Sequence, residues 1–385
     1  MRRALSVALA SSVAGTALAS GPAPDVVPVR TVSGTLPLDP RSASWEAIPT
    51  HSAWVAPQRT THLNDSAATP HVARAAHRVS VRAATNGKDL AILLEWPDDS
   101  ETRPVDTDVY GDSVALQFPL RFGTGQTLPY IGMGDAEQKV VLALARATAS
   151  GTDLREAVAA GFGSSTRAEL SAFKAQMSYD STAKVWRAVI SRPLSIEGHD
   201  LAKGLVPFAL AVWDGQKAER GGNKALSGWM LLRISNFPEE TGYLKSLSFG
   251  IEPDEAGDPA KGRTLVESIC IACHRFGDKQ IAPPEIAPDL SNIGVIASRR
   301  YLFESITNPS GLIVPNLNPN RMYSKSAAPD PHRAQPNDAS YLWHTDVNGK
   351  STSKMPPFAG LPKADLAAIV AYLATLGLPS QESSK

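Results

Sequence analysis

At 385 residues, with 43% apolar and 20% charged side chains, the chain is long enough for two or three cored domains and too apolar for bulk disorder. Its 38 basic residues match 38 acidic ones, which gives no footing to a nucleic-acid partner held by charge. Two cysteines in all exclude an iron-sulfur cluster built in the usual way on four.

The opening MRRALSVALASSVAGTALA runs from two arginines through an apolar stretch to small residues ending Ala17-Leu18-Ala19. That order predicts a signal peptide over residues 1–19 and an exported, periplasmic protein. The apolar run is shorter than a membrane span, so none is expected after cleavage.

Residues 20–245 read as a mainly β domain. HRVSVRAATNGKDLAILLEWPD is two strand-like runs about Asn86-Gly87, a strong hairpin signal. DSVALQFPL alternates, with Val114, Leu116 and Phe118 on one face and Ala115 and Gln117 on the other. KVWRAVISRPL, LVPFALAVWDG and SGWMLLRISN repeat the theme, and short strands with Pro, Gly and Asp punctuation indicate a β-sandwich. Residues 152–176, from TDLREAVAAGF to AELSAFKAQM, are expected to form the main helical insertion. Two glycine-flanked stretches stand out, LPYIGMGDAEQKV and AVWDGQKAERGGNKALSGW. Each sets one metal-ligating side chain, Met133 or Lys224, where glycine lets backbone approach a flat surface closely. Spacing alone leaves open that Met133 is core filler and Lys224 a solvated loop lysine.

A linker is placed at 246–258, and residues 259–385 form a second, all-α domain. Asp258-Pro259 reads as a cap with proline in the first helical turn, and Leu265, Val266 and Ile269 recur at helical spacing. That helix leads into Cys270-Ile271-Ala272-Cys273-His274. A disulfide over so short a loop constrains little of the unfolded chain. Zinc would want a second ligand pair, and a thioredoxin-type motif would open a helix instead of closing one. C-x-x-C-H is the attachment sequence of c-type haem, with both thiols bonded to the porphyrin and His274 under the iron.

The sixth ligand is expected from Met355 in SKMPPFAG, a proline-bounded loop where a packing role is poorly served. Met322 is the rival, and His332 and His344 are weaker ones. Methionine with histidine raises the potential and suits electron transfer. Leu366, Ile369, Val370 and Leu373 mark an amphipathic helix over 363–376 closed by Gly377. A Pro, Asn and Ser-rich insertion runs from about residue 318 to 348.

These motifs, with APDLSNIG and LAAIVAYLATLG, make residues 255–380 resemble a class I cytochrome c. The resemblance implies that the Pro288 carbonyl orients His274 and that Gly262 packs close to Tyr372. Residues 30–237 resemble the haem b-binding gamma subunits of the type II dimethylsulfoxide reductase family, such as ethylbenzene dehydrogenase. The resemblance rests on DSVALQFP, GMGD, YDSTAKVWRAVISRPL and AVWDGQKAERGGNKALS. It implies a non-covalent haem b held between Met133 and Lys224. The fusion of both parts is similar to nitrite oxidoreductase gamma subunits.

By that likeness the partners are an iron-sulfur subunit, a molybdenum catalytic subunit and a soluble cytochrome or oxidase. No acid, base or nucleophile constellation marks an active site in this chain, so substrate chemistry is expected elsewhere. The competing expectations are a monohaem cytochrome c fused to a carbohydrate-binding or docking sandwich, with Trp54 or Trp213 as stacking platforms, and a self-contained haem enzyme with an open iron position.

Overall fold

The computed structural model describes residues 25–59, 74–104, 109–161, 164–167, 173–196, 198–202, 204–235, 240–248, 257–279, 281, 287–313, 344–347 and 350–379. The expected signal segment, Met322, His332 and most of the insertion lie outside these residues.

The N-terminal part is built from fifteen strands among the described residues: β1 (Val26–Thr31), β2 (His51–Pro57), β3 (His77–Thr85), β4 (Asp89–Pro97), β5 (Ser113–Pro119), β6 (Val140–Thr148), β7 (Gly151–Ala159), β8 (Thr166–Arg167), β9 (Lys174–Asp180), β10 (Val185–Pro193), β11 (Ser195–Ile196), β12 (His199–Asp200), β13 (Leu205–Trp213), β14 (Ala225–Leu226) and β15 (Met230–Arg233). One layer runs β8-β7-β6-β5-β13 and the other β2-β3-β4-β10-β9. β14 joins them by pairing with both β13 and β2, and β1 joins them again by pairing with β15 and β3.

The period-2 pattern explains why the layers face each other. Val114, Leu116 and Phe118 meet Ile92, Leu94, Trp96 and Trp186 in one buried cluster. Asn86 and Gly87 make the β3–β4 turn as expected, Gly87 at φ +84° and the Asn86 side chain accepting from the Asp89 amide at 2.8 Å.

The helical insertion expected over 152–176 is a correction. β7 occupies most of its first half, paired with β6 from Thr148↔Gly151 to Val140↔Ala159, and β9 its last residues. Helix propensity is worth only tenths of a kcal/mol per residue. A full ladder with β6, and burial of one side of Leu154 and Val158 against the core, outweigh it. The expected boundary at 245 falls within a helix. Helix α1 (Glu240–Ser248) spans that position and buries Tyr243 and Leu247 against Leu205 and Leu231 of the β strands.

The C-terminal part contains α2 (Pro259–Ile269), α3 (Ile293–Ile296), α4 (Arg299–Thr307) and α5 (Lys363–Leu373). Asp258 caps α2 by accepting from the Ala260 amide at 2.8 Å. A short hairpin, β16 (His344–Val347) with β17 (Lys350–Ser353), accompanies these helices. The expected amphipathic helix is α5, but it is buried around most of its circumference, from Leu366 through Ala371 and again at Leu373. Gly262 lets α2 cross it closely: a Cβ there would lie 1.9 Å from the Ala368 carbonyl oxygen and 2.9 Å from the Tyr372 Cβ.

The two parts share a core. Ala56, Ala211 and Leu226 of the β layers join Val266, Ile293, Ile369 and Val370 in one buried cluster. Across the junction the Asn292 Nδ2 donates to the Pro57 carbonyl at 2.5 Å, and the Tyr130 and Tyr301 rings lie 5.6 Å apart.

Candidate haem-binding sites

On its outer face, away from the sandwich core, the β5–β6–β7–β13 layer forms the floor of a cavity of about 420 Å³. Alternate residues line it: Ser113, Ala115 and Gln117 of β5, Leu142, Leu144 and Arg146 of β6, Arg155 and Ala157 of β7, and Ala209, Ala211 and Trp213 of β13. Many are small, so the floor is flat. Met133 and Lys224, far apart in sequence, both line this one cavity.

Met133 sits at φ +74°, a left-handed conformation rare for a side chain of its kind. Such strain persists only where surroundings over-determine it, and here they do. The Gly161 amide donates to the Met133 carbonyl at 2.8 Å, and the Gln117 side chain donates to the Ile131 carbonyl at 2.7 Å. Asp135 ties the loop by accepting from the amides of Tyr130, Glu137 and Gln138 at 2.9, 3.0 and 2.8 Å. The next residue, Gly134, is at φ +79°, and a Cβ there would lie 2.7 Å from the Gln138 carbonyl oxygen.

Lys224 is 4% exposed. Burial pulls its ammonium down to about 8, and among the described residues no carboxylate pairs with it. Its Nζ lies 5.4 Å from the Trp213 ring centroid. A desolvated, easily neutralised amine is what a lysine needs to bind a metal. The loop before it is fixed by Asp112, which accepts from the Gly215 amide at 2.7 Å, and by Glu219, which accepts from the Asp214 amide at 2.8 Å and from Arg74 at 2.5 Å. Arg146, Arg155 and Arg220 line the same cavity. Of these only Arg155 makes an ion pair among the described residues, with Asp153 at 3.1 Å; Asp153 also lies opposite Arg146 across the β6–β7 ladder.

In the second site α2 ends at Cys270, a single tight turn spans Cys270–Ala272, and the His274 amide donates to the Cys270 carbonyl at 2.9 Å. No disulfide joins the two cysteines: Cys270 is half-buried, where burial pushes its thiol up to about 11, and Cys273 is exposed. His274 Nδ1 donates to the Pro288 carbonyl at 2.9 Å, the contact that the sequence resemblance implied. That bond leaves Nε2 as the free ring nitrogen. Burial holds the imidazole below its ordinary value, opposed by the Pro288 bond and by Asp289, which favours the neutral form that binds a metal.

Met355 is half-buried beside the same apolar cluster as Cys270, and its amide donates to the Ser353 hydroxyl at 3.1 Å. His344 starts β16.

The two tryptophans named as stacking platforms have different surroundings. The Arg78 guanidinium lies 4.2 Å over the Trp54 ring, and Trp213 lines the cavity and packs against the shared core. The arginines at the cavity, with Tyr110 under Arg220 at 4.7 Å, carried no motif that sequence reading could find.

Comparison with known proteins agrees with this division. Residues 48–169 match the ethylbenzene dehydrogenase family model and residues 259–377 the cytochrome c model. The chain is 31% identical to the chlorate reductase subunit gamma of Ideonella dechloratans over 242 residues, 60% of this chain and 95% of that one. It is 26% identical, over 62% of its length and 83% of the relative's, to a protein of Haloferax mediterranei described as a respiratory nitrate reductase heme subunit. A solved carbohydrate binding module of family 9 from Caldicellulosiruptor kristjanssonii is similar at a TM-score of only 0.31 and 10% identity, covering 55% of this chain and 96% of that one, too distant to support any argument. The chain therefore belongs to the haem-binding gamma subunits of the type II dimethylsulfoxide reductase family, and it carries a cytochrome c domain in addition.

Proposed function

We propose that the protein is an exported dihaem relay, with a non-covalent haem b between Met133 and Lys224 and a covalent haem c on Cys270, Cys273 and His274, its sixth ligand Met355. The observation that carries this reading is the meeting of a strained methionine and a buried, weakly basic lysine on one flat-floored cavity. The cavity's arginines suit the two carboxylates of a haem. Each haem supplies reversible one-electron chemistry; the chain's part is to set potentials through axial ligands and burial.

Electrons would pass between an iron-sulfur subunit and haem b, then haem c, then a soluble cytochrome or oxidase, or the reverse in a reductase. A molybdenum subunit would hold the substrate. The two relatives are named for chlorate and nitrate reductases, which supports an oxyanion as that substrate; fusion to a cytochrome c favours a nitrite oxidoreductase-like complex. No helix among the described residues is long and apolar enough to cross a membrane, in keeping with a relay that leaves its electrons with a mobile partner.

The test is a pyridine haemochrome spectrum before and after acid-acetone extraction, on wild type and Lys224→Ala. One extractable haem b beside one retained haem c is expected in wild type. Lys224→Ala should lose the low-spin b spectrum and keep haem c. An unchanged b spectrum in the variant would refute the ligand assignment.

A further inference from the structure

Three consecutive residues at the end of β2 touch the supports of both proposed sites. The Gln58 amide donates to the Lys224 carbonyl at 2.9 Å, beside the β14–β2 pairing of Ala225 with Pro57. The Pro57 carbonyl accepts from Asn292. Arg59 then reaches across to Asp289, Nη1 to Oδ2 at 3.3 Å, with the two side chains 18% and 17% exposed. Asp289 follows Pro288, whose carbonyl holds His274.

Among the described residues, few groups surround Asp289. Its Oδ1 accepts from the Ser291 amide at 2.8 Å and from the Ser291 hydroxyl, and Arg275 stands farther off at 3.9 Å. Arg59 is therefore its closest cation among the described residues, and it comes from the other domain. Shielding from water keeps the pair's charges effective at short range. An unneutralised carboxylate this near the proximal imidazole would favour the more positive, ferric iron; a paired one does so less.

We propose that Arg59 is a positioning residue for haem c: by pairing with Asp289 it steadies the Pro288 carbonyl against His274 and keeps the haem c potential high. The β domain thereby tunes the cytochrome domain's iron through a segment that also holds the haem b lysine. This rests on the dihaem reading for its purpose, but its test does not. With both haems bound, a higher haem c potential would favour one-electron transfer from haem b to haem c, haem b being oxidised as haem c is reduced.

The experiment is a spectroelectrochemical titration of the full-length holoprotein, comparing wild type with Arg59→Gln, Arg59→Lys, Asn292→Ala and the double variant Arg59→Gln/Asp289→Asn. Arg59→Gln should lower the haem c midpoint, with haem b and both low-spin spectra unmoved. Arg59→Lys should restore most of the loss, and the double variant should also return toward wild type. An unmoved haem c midpoint in Arg59→Gln overturns the proposal. So does an equal fall in Asn292→Ala, which loosens the same junction while leaving Arg59 in place. Should the protein hold no haem b, the dihaem reading fails while the haem c titration still decides the role of Arg59.

Discussion

At the scale of single residues, the chain places ionisable groups where burial sets their chemistry. Lys224 is one case and the acidic group beside the Trp186 core is another. Burial, then the neighbouring Asp112, pushes Asp98 up to about 7, and burial pushes Asp112 up to about 6, from ordinary values of 3.8. Such carboxyls bind protons more tightly folded than unfolded. Their contribution to stability is full in acid and is lost as pH rises through about 6 to 7. Asp98→Asn keeps an oxygen to accept from the Ser100 amide and removes the charge. It should melt several degrees above wild type near pH ~8 and lose that advantage near pH ~4. A pH-independent difference between the two melting curves would count against a buried charge as the cause.

At the scale of elements, close approach decides the cytochrome domain. α2 and α5 cross where Gly262 meets the Ala368 carbonyl, and CxxCH sits at the end of α2. A side chain at 262 must push backbone from backbone, because the obstructing atom is a carbonyl and cannot rotate away. Gly262→Ala should cost roughly 1–3 kcal/mol and lower haem c retention while leaving haem b spectra intact, checked by thermal unfolding and the haemochrome ratio. Wild-type melting would show that the crossing can widen freely. Elements were also where local reading met its limit. The β3–β4 hairpin was legible because Asn86-Gly87 is a local turn signal. TDLREAVAA was not, because its partner β6 is supplied from outside the segment, and helix α1 was missed because its buried pair, Tyr243 and Leu247, sits in a stretch punctuated like a linker.

At the scale of the whole molecule, the shared cluster of Ala56, Ala211 and Leu226 with Val266, Ile293 and Ile369 should couple the unfolding of the two domains. A cytochrome on a flexible tether would melt separately from its carrier. Here the holoprotein should unfold in a single calorimetric transition, with loss of the native haem c spectrum and loss of sandwich ellipticity at the same temperature. Two resolved transitions would mean that the common core contributes little to cohesion. Fixed packing also means that electron transfer between the sites proposed here would not wait on domain swinging.

Read from residue order, the C-x-x-C-H motif, the capped α2 and the alternating strands were accessible, because each is set by neighbours within a few positions along the chain. Met133 and Lys224 entered through family resemblance, since spacing left each with an ordinary explanation. Their convergence on one cavity, the left-handed backbone at Met133, the desolvation of Lys224, and the reach of Arg59 to Asp289 are long-range facts. They depend on which strands pair and which faces pack, and such contacts are selected by the burial of the whole chain and by no local stretch of it.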